Sequence, residues 1–445
     1  MFRQSATLFA AKVVGYGIRI LLPVFLVRVL SKADVGAYFQ FFLLEAVTMT
    51  VFQLGAAQAL FYFVPRDPRN AGGYLLNSIG LSVAFLATGF ACMAPFREAL
   101  AAAGGLVMLA DYFPQLAVYT TAVMILVVLE SYTTVRGWIT ATAVWDVGRQ
   151  VAATIATLAA AVIWRDLGHV IAALVVVRLL SLAAMAGWLH FARRGFASER
   201  YRVELRAQVG YGVVLGLTGM LVTLTMRFHE LFVNRYYDLA AYAVYAAGIR
   251  QIPVLQYFSH SVAMVSLGRF SELEKKGDWA GIRDLWDRFH AATFGLGVPL
   301  TIVLLLVAEP LVLLMFTADY AEAVPIFRLN TLAMLYLVLN PTLVLRAMDR
   351  NGISLRINAV MVVALPFLLY AGMRLWGLQG IIAAHGLALI GGRLANQAAL
   401  NRVAPVRLPY LPSGAAVRAV YADAWRGLRR RLRAPAGGSG GPSAR

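Results

Sequence analysis

The chain is poor in charge and nearly free of cysteine. Of its 445 residues only 14% are charged and one, Cys92, is a cysteine. That excludes an intramolecular disulfide and a cysteine-based metal site, and the six histidines form no ligand-spaced pair. There is no Walker loop, no His-Glu-x-x-His and no paired-acid signature of a sugar-nucleotide enzyme. The sequence therefore reads as a non-enzyme that calls for no cofactor and no metal. No polar stretch is long enough for a separate soluble domain.

What remains is apolar: 60% of the residues are hydrophobic and the mean hydropathy is +0.70. Soluble domains are about a quarter charged, so the expected class is an all-α polytopic membrane protein. A membrane-crossing helix takes about 20 apolar residues, and this length accommodates about twelve. Expected spans are 5–28, 36–63, 74–95, 113–134, 141–163, 169–190, 208–233, 240–267, 292–316, 324–345, 354–372 and 378–400.

The net charge of +18 alternates between the connections. One side holds Arg66, Arg69, Arg136, Arg193 to Arg206, Arg269 to Arg288, Arg346, Arg350 and the tail, about two dozen cations, against about six on the other. Basic segments stay in the cytoplasm, so both termini are expected there. This use of the charge argues against nucleic acid as a partner. The first span is too long for a signal-peptide core and reads as a retained helix.

The sequence repeats itself. Asp34-Val35-Gly36-Ala37-Tyr38 recurs as Asp238-Leu239-Ala240-Ala241-Tyr242, and Val128-Leu129-Glu130 as Val338-Leu339-Asn340. Leu167-Gly168-His169-Val170-Ile171-Ala172-Ala173 recurs as Leu378-Gln379-Gly380-Ile381-Ile382-Ala383-Ala384. The order and near-constant offset indicate two six-helix lobes, 1–192 and 208–400, related as parallel repeats. A basic linker, 193–207, joins them, and a basic tail, 401–445, follows. In the tail Val417, Val420, Tyr421, Ala424, Trp425, Leu428 and Leu432 share one helical arc, opposite Arg418, Arg426, Arg429, Arg430 and Arg433. Such a helix is expected on the anionic lipids of the inner leaflet. Ser271 to His290 reads as a second amphipathic helix.

Against this apolar background stand Arg19, Glu45, Arg178 and Arg250, deep in expected spans. An ionised group at mid-bilayer costs about 2.5–3.5 kcal/mol even on lenient scales, so a helix meant only to sit in lipid would carry leucine there. Lys12, one of four lysines, shares a helix face with Arg19. Lys12, Arg19, Arg178 and Arg250 are the candidates for a cationic cavity, with ion pairs that lock helices as the competing reading. Arg227 and Glu230, one turn apart, either pair locally or line the same cavity, and Asp146 with Arg149 repeats that spacing. Glu45 either balances the arginines or couples transport to H⁺ or Na⁺. Gly15, Gly17 and Pro23 in the first span, and Gly210, Gly212, Gly216 and Gly219 in the seventh, mark bends or close helix packing.

Leu26 to Tyr38, with Leu30-Ser31-Lys32-Ala33-Asp34 at its centre, resembles the N-terminal pattern of bacterial polysaccharide and O-antigen flippases, members of the multidrug/oligosaccharidyl-lipid/polysaccharide exporter superfamily. Phe52 to Leu60, Ser271 to Asp278 and Phe316-Thr317-Ala318-Asp319-Tyr320 are similar to later motifs of that family. Thr317 stands where the family uses glycine. The resemblance covers residues 1–400. It implies alternating-access export of an undecaprenyl-pyrophosphate-linked glycan, with glycan-assembly enzymes as further partners. Arginine's several planar donors suit a pyrophosphate. Two alternatives stay open: a multidrug extruder of the same fold, which calls for an acidic cavity, and a membrane polysaccharide polymerase or glycosyltransferase, which calls for a large outward loop. A peptidoglycan-precursor flippase is a close variant, but that subfamily has fourteen-span architecture by resemblance, about two more than here.

Overall fold

The computed structural model describes residues 17, 21–192, 196–200, 205–250 and 254–433, without the side chains of 214, 215, 218, 254, 264, 265, 424 and 427–433. Its regular structure is helical: α1 Lys32–Phe52, α2 Ala56–Arg66, α3 Ala71–Met93, α4 Arg97–Gly104, α5 Val107–Asp111, α6 Phe113–Val135, α7 Ile139–Trp164 and α8 Leu167–Gly187. Then come α9 Leu205–Tyr236, α10 Leu239–Gly248, α11 Val254–Lys275, α12 Trp279–Leu306, α13 Ala308–Phe316, α14 Ala323–Ala333, α15 Thr342–Ala347, α16 Asn351–Val403 and α17 Gly414–Arg433. Among the described residues eight helical stretches are long and apolar enough to cross a membrane. The all-α polytopic class is therefore correct. The expected span 5–28 lies largely outside the described residues.

Several expected spans are broken, for local reasons. Span 36–63 is divided into α1 and α2 because Leu54 (φ 41°) and Gly55 (φ 70°) both adopt left-handed backbone, which ends a helix. Span 240–267 is divided into α10 and α11 around Arg250. The last two expected spans, 354–372 and 378–400, are two helices: within the stretch labelled α16 the backbone leaves helical conformation at Trp376 and Gly377 (φ 59°), in the connection expected between them. The amphipathic segment 271–290 is not one helix: α11 ends at Lys275, Gly277 turns the chain at φ 67°, and Asp278 caps α12 by accepting from the Gly281 amide at 2.8 Å.

Contacts divide the chain into two compact units. The first comprises Met1–Arg250, Glu309–Phe327 and Val362–Ile382. In it α1 begins at Ser31, whose hydroxyl accepts from the Asp34 amide at 3.1 Å, an N-cap worth about 1 kcal/mol. α10 begins at Asp238, whose carboxylate accepts from the Ala241 amide at 2.7 Å. The repeated aspartates thus play different parts: Asp34 sits inside its helix, Asp238 caps one. The two repeat motifs pack directly on each other, since a Cβ at Gly36 would collide with the backbone of Leu239. Farther along, Gly212 and Gly216 of α9 lie against Leu54 and Gly55 with no space for a side chain, so the GxxxG spacing serves the break in the second span. Arg28 donates to the carbonyls of Leu314 (2.8 Å) and Met315 (3.2 Å), satisfying the end of α13. Asp166 caps α8 through the amide and ring of His169, bonds that hold its carboxyl below the usual carboxylate range.

The second unit comprises Gln251–Ala308, Arg328–Met361 and Ala383–Arg445. Its core gathers Phe270, Trp286, Phe289, Val344, Leu400 and Leu408. α17 does not hang free: Ser413, its cap, is held by Asp287, and the Tyr421 hydroxyl donates to the Gly295 carbonyl of α12.

Candidate functional site

Helices of the first unit gather charged and phenolic groups inside the bundle. On α9, Glu230 is buried and its two carboxylate oxygens are both used: Arg227 donates to one at 2.6 Å and the Tyr242 hydroxyl of α10 donates to the other at 3.0 Å. The i,i+3 pairing anticipated for Arg227 and Glu230 is present, yet the two differ in exposure, with 7% of the Glu230 side chain accessible and 46% of Arg227. Beside them His229 bonds Tyr245 at 2.7 Å.

Arg178 on α8 donates to the hydroxyl of Tyr119 on α6 at 2.8 Å. Its Nη1 is buried and meets no acceptor among the described residues. Arg250, at the end of α10, places its guanidinium 4.6 Å from the ring centre of Phe39 on α1, a cation–π arrangement. Glu45 of α1 is in electrostatic reach of Tyr119 and of Arg227, and Arg250 is in reach of Tyr38 and Tyr242. Arg178, Arg250, Glu45, Arg227 and Glu230, scattered over the sequence, therefore belong to one electrostatic neighbourhood. Lys12 and Arg19 lie outside the described residues.

Nearby, Arg149 of α7 sits between two acids, 2.5 Å from Asp146 and 2.8 Å from Glu130 of α6. The first partner follows from helical spacing; the second does not. In the second unit Asn340, the repeat counterpart of Glu130, likewise accepts from an arginine, Arg393, at 3.1 Å. The described cluster sets Arg149, Arg178, Arg227 and Arg250 against Glu45, Glu130, Asp146 and Glu230. Its formal charge is balanced, four cations against four carboxylates.

Sequence reading passed over the tyrosines. Tyr38, Tyr119 and Tyr242 are buried in the bundle, and a phenol inside an apolar run needs a hydrogen-bond partner. That was the available signal: Tyr38 and Tyr242 occupy the same place in the two copies of the repeat. Among the described residues no three His, Cys, Asp or Glu side chains gather as metal ligands.

The geometry has known counterparts. Over 98% of the chain and 94% of the other, the structure is similar to that of the lipid II flippase MurJ in an inward closed conformation, with a TM-score of 0.68 and 12% identity. A variant of the MATE transporter VcmN from Vibrio cholerae gives a TM-score of 0.62 at 14% identity, covering 90% of this chain and 96% of that one. A transporter of the same superfamily from Pyrococcus furiosus, described as having a binding pocket of reverse polarity, gives 0.59 at 14% identity, with 90% and 95% covered. At these identities the likeness is one of fold. No curated protein matches the chain by sequence. The family model for polysaccharide biosynthesis proteins, Polysacc_synt_3, matches residues 25–325, and the chain belongs to that family.

Proposed function

We propose that the chain carries an undecaprenyl-pyrophosphate-linked oligosaccharide across the bacterial inner membrane by alternating access of the lobes 1–192 and 208–400. The observation that carries this reading is the unequal treatment of the arginines. Arg149 and Arg227 are neutralised by carboxylates at 2.5–2.8 Å. Among the described residues Arg178 is held by the neutral phenol of Tyr119 and retains a buried donor. A buried guanidinium in that state is stabilised by an arriving anion, and a pyrophosphate supplies one with matching geometry. Arg250, Lys12 and Arg19 complete the headgroup site in this reading, and the isoprenoid tail stays in lipid. Glu230 and Glu45, beside the arginines, are the groups through which H⁺ or Na⁺ drives the cycle. Both termini are cytoplasmic, and glycan-assembly enzymes supply the substrate.

The test is translocation of a pyrophosphate-linked oligosaccharide in proteoliposomes by the parent chain and by Arg178→Ala, Arg250→Ala and Arg19→Ala. Loss of flipping in the variants, with unchanged thermal stability, supports the site. Equal flipping makes the arginines structural. The charge balance of the described cluster keeps one second reading, a multidrug extruder: uptake of a lipophilic cation without glycolipid flipping would establish it.

A further inference from the structure

The two units treat one position of the sequence repeat in opposite ways. In the first, Glu130 accepts from Arg149 at 2.8 Å and Asp146 completes the neutralisation. In the second, the counterpart is Asn340, and Arg393 of α16 donates to its amide oxygen at 3.1 Å in place of a carboxylate. That oxygen is shared, because the Thr342 hydroxyl also donates to it at 2.7 Å. The other neighbour of the Arg393 guanidinium is the ring of Tyr336, 5.4 Å away at its centre. Both contacts are neutral.

A second cation adds to the imbalance. Arg346, in the last turn of α15, is in electrostatic reach of Arg393. Arg346 is exposed and Arg393 half-buried. Among the described residues no carboxylate pairs with either, and of the 22 acidic side chains only Glu204 lies outside the described residues. Like charges held together disfavour one another, the more so away from water. Arg393 spends only Nη1 on Asn340, and none of its nitrogens is shut in without a partner, so its remaining donors are open to a ligand. The backbone keeps Asn340 in place. The chain leaves helix between the turn Met334–Leu337 and α15, and other helices take the carbonyls freed there. Ser259 of α11 donates to Leu337 and Thr293 of α12 to Val338, each at 3.0 Å. Such a satisfied break in a membrane-crossing segment is a place where transporters present binding groups.

We infer that Arg346, Arg393 and Asn340 form a second oxyanion site, lying wholly within the second unit, that binds a phosphate or pyrophosphate group between two guanidiniums. A phosphate group brings the charge that two unneutralised arginines lack, and its several oxygens serve both guanidiniums and the Asn340 amide nitrogen together. Arg346 stands at the cytoplasmic end of its expected span, while Arg393 lies roughly 10 Å inside the end of its own. The pair therefore runs from mouth to interior and admits the oxyanion from the cytoplasmic side. That side of entry rests on the charge-based topology; the binding itself is independent of what the protein transports.

The test is calorimetric titration of the full chain in detergent, at fixed ionic strength, with inorganic pyrophosphate and short-chain phosphatidic acid as the two probes. The parent chain is expected to bind at least one of them. Asn340→Glu reinstates the carboxylate of the first unit and neutralises Arg393 from within. It should weaken that binding at least about tenfold while the melting temperature holds. Arg346→Gln changes an exposed side chain and should weaken it as well, so a folding defect in the first variant leaves the conclusion decidable. Pyrophosphate binding lost in both variants supports the site with a free oxyanion as its ligand. Binding of phosphatidic acid alone, lost in the same way, supports it with a lipid-borne phosphate. No binding of either probe, binding indifferent to both substitutions, or equal displacement by chloride would overturn the proposal. Translocation is not read, so the outcome is separate from that of the transport reading.

Discussion

Gln40 and Asn234 are joined by a buried amide–amide hydrogen bond that ties the first half of the chain to the second: Gln40 Nε2 donates to Asn234 Oδ1. Gln40 also donates to the Gly105 carbonyl and accepts from the Met108 amide, each at 2.9 Å. Asn234 passes the connection on by donating to the Glu230 carbonyl at 2.8 Å. One fully buried side chain thus fixes α1, the α4–α5 turn and α9, one helical turn from the central carboxylate.

Replacing Gln40 by leucine should strand three polar groups in an apolar setting, at about 1–3 kcal/mol for each one left unpaired. Asn234→Leu removes fewer bonds. In thermal unfolding of detergent-solubilised protein the Gln40 variant should melt well below the Asn234 variant. Equal melting temperatures would show that the Gly105 and Met108 bonds contribute little.

The contact between the repeat motifs gives a sharper contrast. Gly36→Ala drives a methyl into the Leu239 backbone, which cannot move aside as a flexible side chain could, and should cost about 1–3 kcal/mol or more. Gly219→Ala meets nothing within 4 Å and gains helix propensity of up to about 1 kcal/mol. Measured yields and melting temperatures should move in opposite directions for the two. A harmless Gly36→Ala would mean that α1 and α10 can separate freely.

Thr317 carries a strained backbone. Its φ of 69° with ψ of 168° is a conformation used almost only by glycine, and it is the position where the resembling family has glycine. Thr317→Gly should raise stability by about 1 kcal/mol, the relief of roughly 1–3 kcal/mol of strain less the entropy glycine adds to the unfolded chain. Thr317→Ala, still a Cβ residue at the same φ, should gain less. A lower melting temperature for the glycine variant would refute the assignment of strain.

Arg149 is 9% exposed in its side chain and serves two carboxylates. Arg149→Leu leaves Glu130 and Asp146 without their cation and should destabilise by about 3–5 kcal/mol, as for breaking a buried pair from one side. Adding Glu130→Gln should recover part of the loss. A double-mutant cycle on urea or thermal unfolding reads the coupling; strict additivity would show that the Glu130–Arg149 contact carries no energy.

How much of this was legible beforehand depended on the range of the interaction. Helix caps at Ser31 and Asp238, the pair Arg227–Glu230 and the pair Asp146–Arg149 are set by residues within one turn of each other, so sequence spacing exposes them. Glu130 as a partner of Arg149, Tyr119 as the acceptor for Arg178, and Gln40 facing Asn234 join residues far apart in the chain. Nothing in local spacing distinguishes those partners from any other polar group on the same helices.

The sequence by itself determined that this is a helical membrane protein, because an apolar chain with so few charges can satisfy its backbone in lipid only by internal hydrogen bonds. It also marked which charges were too costly to be incidental, and it carried the duplicated motif. Only the tertiary structure decided which of those charges meet a carboxylate and which meet a phenol or an aromatic ring, since burial makes a charge's energy depend on its neighbours in space. It likewise decided that the second span breaks at Leu54 and Gly55, where two glycines of a distant helix leave space for the backbone, and that the basic tail helix stands along α12.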